Sequence, residues 1–327
     1  MIRSLTGFAL SAGLCAALMP FLIAALGKLR AKQPILGYVE SHKSKSGTPT
    51  MGGVGFLIAA ALPFAFLLRG DCAAALVCLI VAAGYGVIGM TDDGIKVRSG
   101  HNKGLSVGWK LLLQFCVACA VSAYAVFGSE TGSVIYIPFT DKPVDLHWFA
   151  LPYYAAIFLS FTNSVNLTDG LDGLASSVTA AFLVFFALLI VVCSGLAPTE
   201  AQSNELLLVS CFVGALVGFL CYNRFPAKVF MGDTGSLALG GLLASLSVLT
   251  GRGLSAAMIG VMYIASALSV IVQVISFKLR KKRVLLMAPL HHHFEKKGVH
   301  ENRIVAAYVA VTCVAGAAVV ALTIFFS

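Results

Sequence analysis

Ten long apolar stretches, separated by short polar segments, constrain this chain more than any other feature. They run over 2–26, 51–68, 72–90, 109–127, 148–162, 174–193, 205–222, 237–249, 255–277 and 304–326. About 20 apolar residues cross the hydrocarbon core of a bilayer. A backbone in lipid must bond to itself, so such stretches are predicted to be helices. The expected fold is an all-α integral membrane protein of about ten transmembrane helices, forming one domain over 1–327. Only 11% of the residues are charged and 59% are hydrophobic. Soluble proteins carry about 25% charged residues, so a soluble enzyme or a disordered chain is excluded. The first stretch is too long for a signal peptide and reads as a retained span.

The net charge is +9. In a soluble chain that excess would point to nucleic acid; here it fits basic loops held on the cytoplasmic side, and no nucleic-acid partner is expected. Of the 23 Lys and Arg, 19 fall in the odd-numbered loops and four (Arg3, Arg69, Lys142 and Arg252) in the even-numbered ones or at the N-terminus. The positive-inside rule places the odd loops in the cytoplasm and both termini outside. The outside is otherwise plain. The exception is 129–147, where a strand over 134–139, ended by Pro138 and the Asp141-Lys142-Pro143 turn, predicts a small external hairpin. The nine cysteines lie in or beside apolar stretches and read as small lipid- or core-facing residues. Cys116-x-x-Cys119 has no His or charge nearby to suggest zinc or redox chemistry. No internal repeat is evident, which weighs against a duplicated transporter fold.

This topology gathers the chemistry on one face. Asp92, Asp93, Asp169, Asp172 and Asp233 all fall in cytoplasmic loops, with six of the seven histidines: His42, His101, His291, His292, His293 and His300. Ionisable groups next to a bilayer are costly and usually functional. Thr91-Asp92-Asp93 follows the third span. There the carboxylates meet the negative end of a helix, so they form either a base or cation site or solvated pairs with Lys96 or Arg98. Asn163 to Asp172 packs two Asp and two Asn into ten residues; one helix cap explains one of them, and the cluster suits a hydroxyl-rich ligand or a cation. Asn223 to Ser236 holds Lys228, Phe230 and the Gly232-Asp233-Thr-Gly turn before the eighth span, whose free N–H groups suit phosphate. Asp233 is also a candidate N-cap. Lys43 to Gly53 reads either as a phosphate lip or as an ordinary basic loop. In Ala288-Pro-Leu-His291-His292-His293-Phe-Glu295, three consecutive side chains converge poorly on one zinc ion, which favours imidazoles meeting a diphosphate. The preceding Lys278-Leu-Arg280-Lys281-Lys282-Arg283 reads as an anchor on anionic lipid.

Together these segments resemble the phospho-N-acetylmuramoyl-pentapeptide transferases, a branch of the polyprenyl-phosphate N-acetylhexosamine-1-phosphate transferases. Thr91-Asp92-Asp93, Asn166 to Gly173 and Phe230 to Ser236 match motifs of the whole superfamily. The triple histidine and Gly47-Thr-Pro-Thr50-Met-Gly-Gly53 point to that branch. The resemblance implies a bacterial inner-membrane enzyme with its active site on the cytoplasmic face. It would move phospho-N-acetylmuramoyl-pentapeptide from UDP to undecaprenyl phosphate, release UMP and require Mg²⁺. It implies Asp233 as metal ligand and Asp92, Asp93, Asp233 and His291 as the catalytic set. By the same resemblance, Phe230 stacks on uracil beside Asp172, Leu167 and Lys96. Lys45, Thr50, Asn166, Asp169 and His292 contact nucleoside or diphosphate, and Asn223, Lys103, Gln273 and His293 match further polar positions. A broken ninth span around 266–274 would open a lipid groove, with Ser266 where relatives often carry Glu. A homodimer embedded in membrane lipids is implied too. Two other readings are a relative using UDP-N-acetylglucosamine and a cation-coupled transporter; the latter calls for charges near mid-span, whereas these lie at span ends.

Overall fold

The structure, a computed structural model, describes residues 2–29, 47–100 and 104–326. The described residues form twelve α-helices. These are α1 (Ile2–Lys28), α2 (Gly53–Leu67), α3 (Ala73–Ser99), α4 (Val107–Gly128), α5 (Ala150–Thr168), α6 (Leu174–Cys193), α7 (Glu200–Asn223), α8 (Gly232–Leu249), α9 (Gly253–Ile259), α10 (Val261–Arg280), α11 (Leu290–Lys296) and α12 (Glu301–Phe326). Eight of them are long and apolar enough to cross a membrane, and α2 is apolar but shorter. The chain is a multi-pass membrane protein. Each of the ten apolar stretches became a helix, the ninth as the pair α9 and α10.

The break in that ninth span lies at Gly260, not within 266–274 as expected. Glycine is the weakest helix former after proline, and Gly260 leaves helical geometry with ψ at 22°. The 266–274 segment stays in continuous helix, with the Ser269 hydroxyl bonded to the Ser266 carbonyl at 2.6 Å. The hairpin also forms, from β1 (Val134–Tyr136) and β2 (Pro143–Asp145), antiparallel, with Ile135 opposite Val144. Its first strand is shorter than the expected 134–139. Pro138 has no N–H to give to a ladder, and Phe139 already turns with φ at 71°.

Helix α8 is the axis of the bundle. Every residue from Thr234 to Leu249 is buried. Helices in lipid gain little from the hydrophobic effect on meeting, so close backbone packing holds them, and the sequence of α8 is built for it. A Cβ on Gly240 would land on the backbone of Thr162 in α5, and one on Gly241 on the ring of Tyr85 in α3. From the other side, a Cβ on Gly89 of α3 would overlap the Asp233 carbonyl. The buried serines of α8 satisfy themselves: Ser245 and Ser247 donate to Leu242 and Leu243 carbonyls at 3.0 and 2.6 Å. This packing sets the C-terminal turns of α3 and the first turn of α8 side by side. Gly89→Ala is expected to cost about 1–3 kcal/mol through overpacking and to lower the melting temperature in detergent. Gly84→Ala, where nothing lies within 4 Å of the added methyl, should not lower it and by helix propensity should raise it slightly.

Candidate active site

Asp92 and Asp93 were expected just past the third span. Helix α3 instead continues to Ser99, so both sit inside it, and both are buried, 2% and 3% exposed. The expected pairing with Lys96 forms, at 2.6 Å to Asp92, but it is buried and not solvated. Asp93 caps a different helix. Its Oδ1 accepts the Asp233 N–H at 3.2 Å, and its Oδ2 accepts the Thr234 N–H at 2.9 Å and the Thr234 hydroxyl at 2.8 Å. The first N–H groups of a helix have no partner within it, and its N-terminus favours negative charge. Asp93 supplies both remedies from α3. This replaces the expectation that Asp233 caps α8: Asp233 lies in the first turn, and Met231 occupies the cap position without a side-chain bond.

Carboxylate oxygens of Asp92, Asp93 and Asp233 lie within 4.8 Å of one another, a grouping that could hold a metal ion. Two lysines lie against it. Lys96 Nζ bridges Asp92 Oδ2 and Asp233 Oδ2, each at 2.6 Å, and Lys110 Nζ reaches Asp233 Oδ2 at 2.9 Å. Asn166 donates to Asp233 Oδ1 at 2.6 Å and to the Ser236 hydroxyl at 2.8 Å. Asp92 Oδ1 accepts the Leu105 N–H at 2.8 Å, tying the start of α4 to the cluster. Lys110 was missed as a site residue and counted only as inside charge. The available signal was its place in the first turn of α4, after the N-cap Ser106, where a cation opposes the helix dipole.

The glycines before α2 have a plain cause. Gly52 and Gly53 donate to the Phe230 and Met231 carbonyls at 2.9 and 3.0 Å, and Phe230 donates to Pro49 at 2.8 Å. The 49–53 segment thus lies backbone to backbone along 230–232, and a Cβ on Gly53 would land on Gly235. Buried Thr50 comes to the same place, its hydroxyl next to Gly232 and Asp93.

The remaining predicted residues separate into groups. Neither Asp169 nor Asp172 caps α6, which starts from Gly173 at φ 73° without a side-chain cap. Asp172 Oδ2 accepts the Ala227 N–H at 2.9 Å, and buried Asn223 joins the Ser176 hydroxyl to the Val229 carbonyl at 2.8 and 3.0 Å. These two hold the 224–229 loop that carries half-buried Phe230. Leu167 is half-buried one residue beyond Asn166. The three histidines of α11 take different partners. His291 is fully buried against Gly170 and faces Tyr308, His292 Nδ1 lies 2.8 Å from Glu295, and His293 Nδ1 accepts the Leu286 N–H at 3.1 Å. Gln273 uses its amide on the backbone of Val284 and Leu285, away from the triad. Lys45 and Lys103 lie outside the described residues.

Burial first, then the negative charges of Asp233, Asp93 and Asp172, push the Asp169 carboxyl up to about 8. An unfolded aspartate titrates near about 4, so between these values the folded chain holds a proton that the unfolded chain has released. Stability therefore falls as pH rises through that window. Asp169→Asn is expected to flatten the dependence of melting temperature on pH between about 6 and 8. Asp93→Ala, which strips the cap from α8, should cost about 1–2 kcal/mol in ligand-free thermal denaturation, more than Asp92→Ala does.

Comparison with known proteins bears on this geometry. The model for glycosyl transferase family 4 matches residues 73–251, and phospho-N-acetylmuramoyl-pentapeptide-transferase signature 1 matches residues 45–57. The chain is similar to the phospho-N-acetylmuramoyl-pentapeptide-transferase of Clostridium novyi, 42% identical over 298 residues, 90% of this chain and 89% of that one. Its counterpart in Clostridium kluyveri is 41% identical over 90% of this chain and 91% of its own length. That of Clostridioides difficile is 42% identical over 84% of this chain and 83% of its own.

Proposed function

The chain belongs to the phospho-N-acetylmuramoyl-pentapeptide transferases, and from that premise we propose that it moves phospho-N-acetylmuramoyl-pentapeptide from its UDP carrier to undecaprenyl phosphate, releasing UMP. The reaction is the first membrane step of peptidoglycan synthesis. The whole chain acts as one transferase domain with five catalytic loops on the cytoplasmic face of the bacterial inner membrane, a placement supported by the division of 19 basic residues against four. The observation that carries the reading is the meeting of Asp92, Asp93 and Asp233 within 4.8 Å at one end of a membrane bundle.

Hard oxygen donors in this number fit Mg²⁺. Asp233 would hold it, with Asp92 alongside, and the bound ion would neutralise charge building on the donor diphosphate. Asp93 has both oxygens engaged on α8, so it serves by fixing where Asp233 points. Lys96 and Lys110 exchange part of their hold on Asp233 for phosphate oxygens as the donor enters. Phe230 stacks on the uracil, with Leu167 and Asp172 beside it. Thr50, Asn166 and Asp169 contact diphosphate or sugar. Lys45, Lys103, Asn223, Gln273, His292 and His293 complete or brace the substrate surface, and His291 fixes the 169–173 turn against α11. The acceptor is a phosphate monoester whose second ionisation lies near about 6. It arrives mostly deprotonated, so Asp92 needs to position it more than to take its proton, and attack on the diphosphate is direct.

UMP release from UDP-N-acetylmuramoyl-pentapeptide and undecaprenyl phosphate is expected in Mg²⁺ and is expected to vanish in chelator. Asp233→Ala should lower kcat by about 100- to 1,000-fold, the scale of a lost transition-state contact. Equal turnover of UDP-N-acetylglucosamine would transfer the chain to the neighbouring branch of the superfamily. A phosphoaspartate trapped from labelled donor would replace direct attack with a two-step route.

A further inference from the structure

Beyond the proposed reaction, the opposite end of the bundle holds a cavity of about 350 Å³, where α3 and α7 begin and α8 ends. Among its walls are Asp71, Glu130 and Glu205, with Tyr124, Tyr136 and Arg252. The chain as a whole carries a strong positive excess, yet this end holds six acidic residues (Asp71, Glu130, Asp141, Asp145, Glu200 and Glu205) against four basic ones.

Glu205 is the telling group. It is 5% exposed, lines the cavity, and makes no hydrogen bond or ion pair among the described residues. The charged groups acting on it, Asp71 and Glu130, are both negative. Its neighbour Asn204 shows what a buried polar side chain normally does: it accepts from Arg3 at 2.8 Å and donates to the Arg69 and Asp71 carbonyls. Arg252, the basic residue in the cavity wall, is already committed. It grips Asp141 at 2.6 and 3.2 Å and lies over the Tyr136 ring at 4.9 Å. A buried carboxylate without a counter-charge is costly, and a cation entering the cavity would remove that cost.

The lining selects the kind of cation. The only set of three acidic, histidine or cysteine ligands within 4.8 Å among the described residues is the triad at the other end, so these carboxylates do not converge on a bare metal ion. The volume is that of about twelve waters, at roughly 30 Å³ each. Tyr136 already carries Arg252 on its ring, but Tyr124 also stands in the wall, and aromatic faces attract organic ammonium groups. We propose that this cavity is a binding site for an organic ammonium ligand bearing one or two primary amines, with Glu205 as its central counter-charge and Asp71 and Glu130 at the rim.

The test uses putrescine as probe, with the full chain in an uncharged detergent and Mg²⁺ held constant. Isothermal titration is expected to show one saturable site on the unaltered protein. Glu205→Gln should weaken it about tenfold or more, the scale of a lost charge-assisted hydrogen bond, and basal UMP release should be unchanged. Because Glu205 is buried, exposed Glu130→Gln gives a second reading and should also weaken binding. Equal affinity in all three proteins would overturn the proposal, since the diamine would then be screening surface charge. Binding of Ca²⁺ that depends on Glu205, with no binding of putrescine, would overturn it in favour of a metal site.

Discussion

A single carboxylate joins the two helices on which this structure depends. Asp93 projects from α3 and takes the first free N–H groups of α8. A charged residue buried in a membrane bundle needs a partner, and the start of a buried helix needs an acceptor; each meets the need of the other. The glycine-lined contact of α3 with α8 brings them within reach, and Gly89 lets the Asp233 backbone lie against α3. Because the cap comes from a neighbouring helix, Asp233 is placed by tertiary packing and not by its own loop. Its geometry is as rigid as the core beneath it.

Around that junction, charge is nearly balanced within the protein. Three carboxylates face two ammonium groups, and Asn166 adds an amide donor. Neighbouring loops contribute through backbone bonds as much as through side chains. The 49–53 segment lies along 230–232, and Asp172 and Asn223 hold the turn between α7 and α8. Several residues read from the sequence as substrate contacts are therefore also the braces that give the site its shape.

Much of the fold was legible because lipid imposes a simple rule: a run of apolar residues becomes a helix. The ten stretches and the gathering of Asp92, Asp93 and Asp233 at one end follow from hydropathy and the distribution of Lys and Arg, and the hairpin from its strand pattern and turn residues. What stayed hidden depended on contacts between distant segments. The length of α3 past Asp93 is polar in sequence and gave no span signal. The capping role of Asp93 needs a partner 140 residues away. Lys110 looks like any basic residue at a membrane edge until α4 is docked. The break at Gly260 and the continuous helix at 266–274 turn on one glycine among apolar residues. The plainness expected of the outer end failed for a similar reason: Asp71, Glu130 and Glu205 are scattered in sequence and meet only in the folded bundle.

The Lys96 bridge between Asp92 and Asp233 has a consequence for how the protein waits between turnovers. The resting centre carries a tethered counter-ion, so the acidic groups do not drive the helices apart when nothing is bound. On the proposed reading, occupation would swap one cation for another at Asp233 and leave the freed ammonium beside the incoming phosphates. On the same reading, the ammonium released from Asp233 meets the charge of the phosphates, so partners change around carboxylates that the bundle keeps in place.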